Sequence, residues 1–264
     1  MKAALALTLV LAACTTAPAP RPALQVVMIG DSTAAPYGPE RYPQLGWAQI
    51  LPCALDTNAV VVDDAKGGRS TKTFQSEGWW EKSLAKLNPG DVLLIQFGHN
   101  DEDATKSERY IEARPGFANN LKLFVDGARQ HGATPVLITP VTRRYFKDGR
   151  VTDMHGDYSA AVREVAASTH TPLIDLDADS KALVNRLGDE PSKALYLHLP
   201  TGFSAYWKDG SKDDTHFSET GARQMASLVA KRLANLDTPL KGRVDADAPA
   251  LRASFIAHGP ACTR

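Results

Sequence analysis

Four short polar groups in this chain could carry chemistry: Gly30-Asp31-Ser32-Thr33, Gly67-Gly68-Arg69-Ser70, Gly98-His99-Asn100-Asp101 and Asp213-Asp214-Thr215-His216. A serine hydroxyl becomes a nucleophile only beside a base, and that base needs an acceptor to fix its tautomer. Seven histidines compete for the role: His99, His131, His155, His170, His198, His216 and His258. His131 and His170 close amphipathic stretches, where a cation suits the carbonyl end of a helix, and His258 lies in the C-terminal tail. His216 follows Asp213 by three residues, so one turn of a loop brings carboxylate and imidazole together. Asp214 competes with Asp213, but an Asp two residues from the ring points elsewhere more easily. Acyl transfer also needs donors aimed where a carbonyl oxygen becomes an oxyanion. The Gly68 amide, the Asn100 side-chain amide and the Ser32 amide are the candidates. Each group has a plain alternative: Asp31 or Ser32 as a helix cap, Gly67-Gly68 as a turn, Asn100 as a loop closure, and the Asp213–His216 stretch as a surface acidic loop. Singly the alternatives stand; four groups in order on one sheet edge favour a single site.

The elements between these groups must do the positioning. Apolar runs at 24–30, 59–64, 91–98, 134–139 and 171–176 lack polar alternation, which predicts strands buried on both faces in a parallel sheet. Helical spacing spans 116–132 and 158–169, and Ser218 is placed to cap a last helix carrying Met225, Leu228, Val229 and Leu233 on one face. Strands alternating with helices predict a three-layer α/β/α doubly wound domain with a five-stranded parallel sheet, flavodoxin-like in plan. Such sheets bind ligands at the carboxyl ends of their strands, where the first three groups fall. Gly30 would let the chain turn sharply there and expose Ser32. Residues 181–214 are less regular and read as a loop-rich insertion over the site. With no repeat and no shift in composition, one domain is expected over 24–236, followed by an extension, 237–264, packed on it or partly flexible.

The four groups resemble the blocks of the SGNH (GDSL) hydrolases: GDST at 30–33, GGRSTKTF at 67–74, GHND at 98–101 and DDTHF at 213–217. GGRSTKTF after an Asp-Ala strand end, GHND, and the stretch HGDYSAAVREVA from His155 look like the rhamnogalacturonan acetylesterases, a carbohydrate esterase family acting on acetylated pectin. The resemblance runs from about Val26 to Leu236. It implies an SGNH-type fold and a carboxylic ester hydrolase that removes O-acetyl groups from a plant cell-wall polysaccharide. In that reading Ser32 is the nucleophile, His216 the base and Asp213 its orienting carboxylate; Ser32, Gly68 and Asn100 form the oxyanion hole. His99 fixes its loop instead of acting as base. No metal and no cofactor is implied. An imidazole base must be neutral to act, so the rate should climb with pH through the ordinary imidazole range, about 6.5. Other readings stay open: a xylan or peptidoglycan deacetylase, a lysophospholipase or thioesterase, a metal-dependent hydrolase built on Asp213, Asp214, His216 and His99, or a non-catalytic polysaccharide-binding lipoprotein. Trp79, Trp80, Tyr206 and Trp207 are candidates for stacking on sugars, with packing as the alternative. Arg69, Lys72, Arg143 and Arg144 are candidates for meeting uronate carboxylates, with solvated surface charge as the alternative.

The termini and the bulk numbers bound the rest. Lys2 precedes an apolar run, Ala3 to Ala13, too short for a hydrocarbon core of about 30 Å, so residues 1–13 read as a signal segment. Leu11-Ala12-Ala13-Cys14 resembles the lipobox of bacterial lipoproteins, with Cys14 lipidated at the head of a Pro-rich tether, 14–23; an ordinary secretory signal is the alternative. Thr15 after the cysteine, where Asp would mark inner-membrane retention, points to the outer membrane. An exported protein touching the membrane only through lipid is therefore expected. Cys53 and Cys262 are left as one disulfide or two separate thiols, and neither sits in a metal-ligand spacing. The 264 residues carry 30 basic and 30 acidic side chains, a formal net charge of zero, which argues against nucleic acid as a partner. A polyanionic substrate would have to be held by local basic residues. A monomer is expected.

Overall fold

Apolar runs without polar alternation can be satisfied only between two covering layers, and the computed structural model gives them both. It describes residues 23–248 and Leu251; the expected signal segment, Cys14 with nearly all of its tether, and Cys262 lie outside the described residues. The strands are β1 (Leu24–Gly30), β2 (Ala59–Asp63), β3 (Val92–Gln96), β4 (Thr134–Ile138), β5 (Phe146–Lys147), β6 (Arg150–Val151), β7 (Leu173–Ile174), β8 (Tyr196–Leu199) and β9 (Ser211–Phe217). The main sheet is parallel throughout, in the order β2-β1-β3-β4-β7, with Val26 opposite Val61 on one side and Val92 on the other. This is the flavodoxin-like order, whose switch point falls between β1 and β3.

The helices are α1 (Thr71–Ser76), α2 (Trp79–Leu84), α3 (Ala118–Gln130), α4 (Gly156–Thr169), α5 (Leu176–Leu187), α6 (Asp189–Ser192) and α7 (Glu219–Leu233). Successive strand residues face opposite layers. Val26, Met28, Val92, Leu94, Val136 and Ile138 pack with α5, α7 and the 3-10 turns between Trp47 and Ala54. Val27, Ile29, Leu93, Ile95 and Leu137 pack instead with α1 to α4, through Phe74, Trp80, Phe124 and Val165. Each aliphatic side chain so buried contributes about 1.5–3 kcal/mol. Among the described residues no helix is long and apolar enough to cross a membrane.

Residues 181–214 depart from the expectation of an irregular insertion. The Asp175 side chain caps α5 by accepting from the Ala178 amide at 3.3 Å, and the helix runs on to Leu187. Beyond α6, β8 and β9 form an antiparallel hairpin joined by residues 200–210. Asp213, Asp214, Thr215 and His216 therefore lie on a strand. Here propensity misleads because pairing with β8, and not the local pattern, holds the segment extended.

Part of the extension packs on the domain: Leu240, Ala248 and Leu251 join the core beneath α7, Val244 bridges to Leu55, and the Asp245 amide donates to Ala54 O at 2.7 Å. Cys53, buried beside this strap, is disulfide-bonded.

Candidate active site

Three of the four polar groups leave the carboxyl ends of β1, β2 and β3, and the fourth reaches the same edge from β9. A Cβ placed on Gly30 would stand 2.6 Å from the Gln96 carbonyl oxygen, so glycine is needed for close approach of the two strand ends, where the sequence suggested a turn requirement. Gln96 then organises the turn after β1: its Nε2 donates to Thr33 Oγ1 at 2.7 Å and its Oε1 accepts from Trp47 Nε1 at 2.6 Å. The Asp31 side chain turns inward, accepting from the Thr33 amide and hydroxyl at 2.9 and 2.8 Å. Ser32, one position on, faces the cleft with 9% of its surface exposed.

His216 Nε2 lies 2.9 Å from Ser32 Oγ, and its Nδ1 lies 2.7 Å from Asp213 Oδ2. With the ring proton on Nδ1 donating to the carboxylate, Nε2 is left to accept from the serine hydroxyl. The other carboxylate oxygen, Asp213 Oδ1, accepts from the Thr215 and His216 amides at 2.7 and 2.9 Å. Burial pushes the Asp213 carboxyl up, but the His216 ring and these amides outweigh it and hold it at about 2. The geometry depends on a bulge. The register steps from Leu197–Asp213 directly to Tyr196–Phe217, so one step on β8 faces four on β9, and His216, one of the residues between, reaches Ser32.

The expected oxyanion donors border the same opening. Gly68, at φ +77°, holds a left-handed conformation that a side chain would strain. Asn100 Nδ2 donates one hydrogen to Arg69 O at 2.9 Å, leaving its second for the cleft. Ser32, Gly67, Gly68, Asn100, Asp213 and His216 line a cleft of about 530 Å³. A larger hollow of about 900 Å³ lies at the opposite sheet edge, near Leu24 and Asp91, and has neither a hydroxyl nucleophile nor an imidazole in its wall.

Behind the cleft, His99 Nδ1 contacts Asp31 Oδ2 at 3.0 Å, and its Nε2 contacts the Val141 carbonyl at 2.9 Å. Burial lowers the His99 pKa. Burial alone would raise the Asp31 carboxyl, yet His99 and Thr33 hold it at about 2. His155 mirrors the arrangement, with Nδ1 at 2.8 Å from Glu102 and Nε2 at 3.0 Å from the same Val141 carbonyl. Both rings brace the loops after β3 and β4 and stay out of the cleft's reactive line.

Several expected residues lie elsewhere. Asp214 faces away from Asp213, as neighbours on a strand do, and contacts Arg144 and His198 at 2.7 Å each. Asp213, Asp214, His216 and His99 thus share no common centre for a metal. Arg144 is 6% exposed and committed to Asp189, Asp214 and Ser192, so it cannot meet a substrate. Arg69 pairs with Glu77, and Lys72 donates to the carbonyls of Ser107 and Tyr110. Trp80 is core, 4.7 Å from the Phe124 ring, while Trp79 lies beneath Lys66 and Lys82. Arg143 does line the cleft, donating to Thr215 Oγ1 at 2.5 Å and pairing with Glu102 at 3.3 Å. No local pattern pointed to Tyr37, Arg41, Gln44, Asp103 and Arg109, which complete the wall. They sit on loops and, for Arg41, a single 3-10 turn, all without periodicity, and only the fold brings them together.

A doubly wound sheet with this line of groups at its carboxyl edge defines an SGNH-type carboxylic ester hydrolase, and the chain belongs to the GDSL-like lipase/acylhydrolase family, whose model matches residues 28–224. It is 39% identical over 219 residues to the rhamnogalacturonan acetylesterase RhgT of Bacillus subtilis (strain 168), covering 83% of this chain and 93% of that one. It is 38% identical to the probable rhamnogalacturonan acetylesterase YesY of the same organism, over 81% and 94% of the two chains. The crystal structure of Bacillus subtilis YxiM superposes with a TM-score of 0.68 at 28% identity, over 80% of this chain and 56% of that one.

Proposed function

We propose that the protein is a serine acetylesterase that removes O-acetyl groups from a pectic polysaccharide, rhamnogalacturonan in the first place. The observation that carries the reading is the Ser32–His216–Asp213 line, with contacts of 2.9 and 2.7 Å, opening beside Gly68 and Asn100. Ser32 Oγ attacks the acetyl carbonyl carbon while His216 Nε2 takes its proton, and the Ser32, Gly68 and Asn100 N–H groups receive the oxyanion. The tetrahedral intermediate collapses, the C–O bond to the sugar breaks, and His216 returns its proton to the departing alkoxide. Water, deprotonated by His216, then attacks the acetyl-serine; the C–O bond to Ser32 breaks, His216 returns the proton to Ser32 Oγ, and acetic acid leaves, releasing its remaining proton to bulk water. These residues and water account for every proton and electron pair.

The names of the two relatives support acetylated rhamnogalacturonan as substrate. So do Arg41, Arg109 and Arg143 in the cleft wall, which suit an acidic sugar chain. Acetate release from acetylated rhamnogalacturonan, homogalacturonan, xylan and peptidoglycan, alongside acetyl and longer-chain aryl esters, tests both parts. Pectic substrates should lead, and Ser32→Ala should lose at least a thousandfold in kcat. A lead for xylan or for long acyl chains would replace the substrate assignment. A Ser32→Ala protein that kept its turnover would end the serine mechanism. The lipobox-like segment at Cys14 further supports export as a lipid-anchored protein. Cys14→Ser should release it from the membrane fraction; continued membrane association would refute the anchor.

A further inference from the structure

Three arginines border the cleft, and their partners set them apart. Arg109 pairs with Asp103 at 2.5 Å, and Arg143 pairs with Glu102 at 3.3 Å. Among the described residues Arg41 makes no ion pair. Its Nε and Nη2 donate to the neutral Gln44 Oε1 at 3.0 and 2.6 Å. The guanidinium lies 4.9 Å from the Tyr37 ring centre and 5.0 Å from that of Tyr206. We propose that Arg41 is the specificity residue for an acidic substrate, binding a uronate carboxylate of the sugar chain whose acetyl ester is presented to Ser32. The proposal rests on the acetylesterase reading above and adds the group that recognises the substrate's charge.

The contacts leave Arg41 suited to that task. Aromatic rings engage a guanidinium without using its hydrogen-bond donors; Gln44 takes the Nε–Nη2 edge of Arg41, and the end edge, Nη1 with the second hydrogen of Nη2, is left to bind a carboxylate by two parallel hydrogen bonds. Arg41 is itself half-buried, so its charge is felt more strongly than on an open surface. Gln44 fixes the plane without neutralising it, because an amide oxygen accepts but carries no charge. The Nη1 group has no partner among the described residues, although the arginine is half-buried and its backbone is held as well. Trp207 Nε1 donates to Arg41 O at 3.0 Å, tying it to the loop between β8 and β9. Tyr37 joins the arginine to the nucleophile, since its hydroxyl donates to Ser32 O at 2.7 Å. Tyr206, 47% exposed, adds a flat surface at the rim on which a sugar ring can rest.

The test compares acetylated rhamnogalacturonan oligosaccharides with the same oligosaccharides after their carboxyl groups are reduced to alcohols. For the wild-type full chain, KM on the native substrate should be lower and should rise with salt, while KM on the reduced substrate should not respond. Arg41→Gln should raise KM on the native substrate about tenfold or more beyond its effect on the reduced one, and abolish that salt response. Arg41→Lys, which keeps the charge but loses the planar fork, should fall between and keep the salt response. An equal loss on both substrates, or an unchanged ratio in Arg41→Gln with an active wild type, overturns the assignment to Arg41 alone. A wild type that hydrolyses an aryl acetate but releases no acetate from the native oligosaccharide overturns the pectic reading and this proposal with it.

Discussion

Asp31, Ser32 and Thr33 divide opposite tasks among adjacent positions. The carboxylate and the threonine hydroxyl are spent on the interior, through His99 and Gln96, so that the serine hydroxyl alone faces the cleft. Asp213, with its carboxyl held at about 2, stays ionised across neutral pH, and its influence on the ring is therefore constant there. Asp213→Asn should keep the fold and KM but lower kcat by about a thousand- to ten-thousandfold, because an amide can favour the wrong imidazole tautomer. Steady-state kinetics on an aryl acetate reads this directly, and a loss below tenfold would remove Asp213 from the mechanism. These residues were legible because short spacings and strand ends advertise them. Arg143 and Arg144 looked equivalent as a pair of basic residues, yet adjacent side chains point apart and only the first reaches the cleft. Arg41 was illegible for another reason: its aromatic partner Tyr206 and its backbone donor Trp207 come from the far end of the chain.

At the scale of elements, the parallel strands declared themselves because burial on both faces leaves an apolar run with little ambiguity. The β8–β9 hairpin did not. Ser-Lys-Asp-Asp-Thr-His-Phe has polar groups on both sides, and its extended form comes from cross-strand bonds that no local window contains. The capping serine of the last helix was plain, and it proves to do two things. Ser218 Oγ accepts from the Gly221 amide at 3.2 Å and donates to Ala194 O at 2.7 Å, fixing the start of α7 to the segment before β8. Ser218→Ala should cost about 1–2 kcal/mol of stability, through the lost cap and the lost hydrogen bond to Ala194 O. Urea unfolding measures it; a change under about 0.3 kcal/mol would mean that neither bond matters.

For the whole molecule, opposing carboxylates set the response to pH. Burial raises Asp101 to about 7 and Asp63 to about 8, so the folded state keeps protons that an unfolded carboxyl, near 3.9, has released. Their share of stability is full below about pH 4 and is lost as pH rises through 7 and 8. Asp31 and Asp213, both held at about 2, act in the opposite sense: their share is present above about pH 4 and is lost as pH falls toward 2. Unfolding free energy should therefore peak near pH 4 and decline from there toward about pH 8, and Asp63→Asn should flatten that decline. Urea titrations at successive pH values test this, and stability rising steadily from pH 5 to 9 would contradict it. The order of the site along the chain carries a last consequence. Ser32 and His216 stand 184 positions apart, and all five strands of the main sheet precede β8. A growing chain can thus complete its sheet while its nucleophile still lacks a base, and it acquires hydrolytic power only when its closing hairpin has been made. Turnover then serves as a built-in report that synthesis has passed His216 and that the closing hairpin has met the end of the first strand.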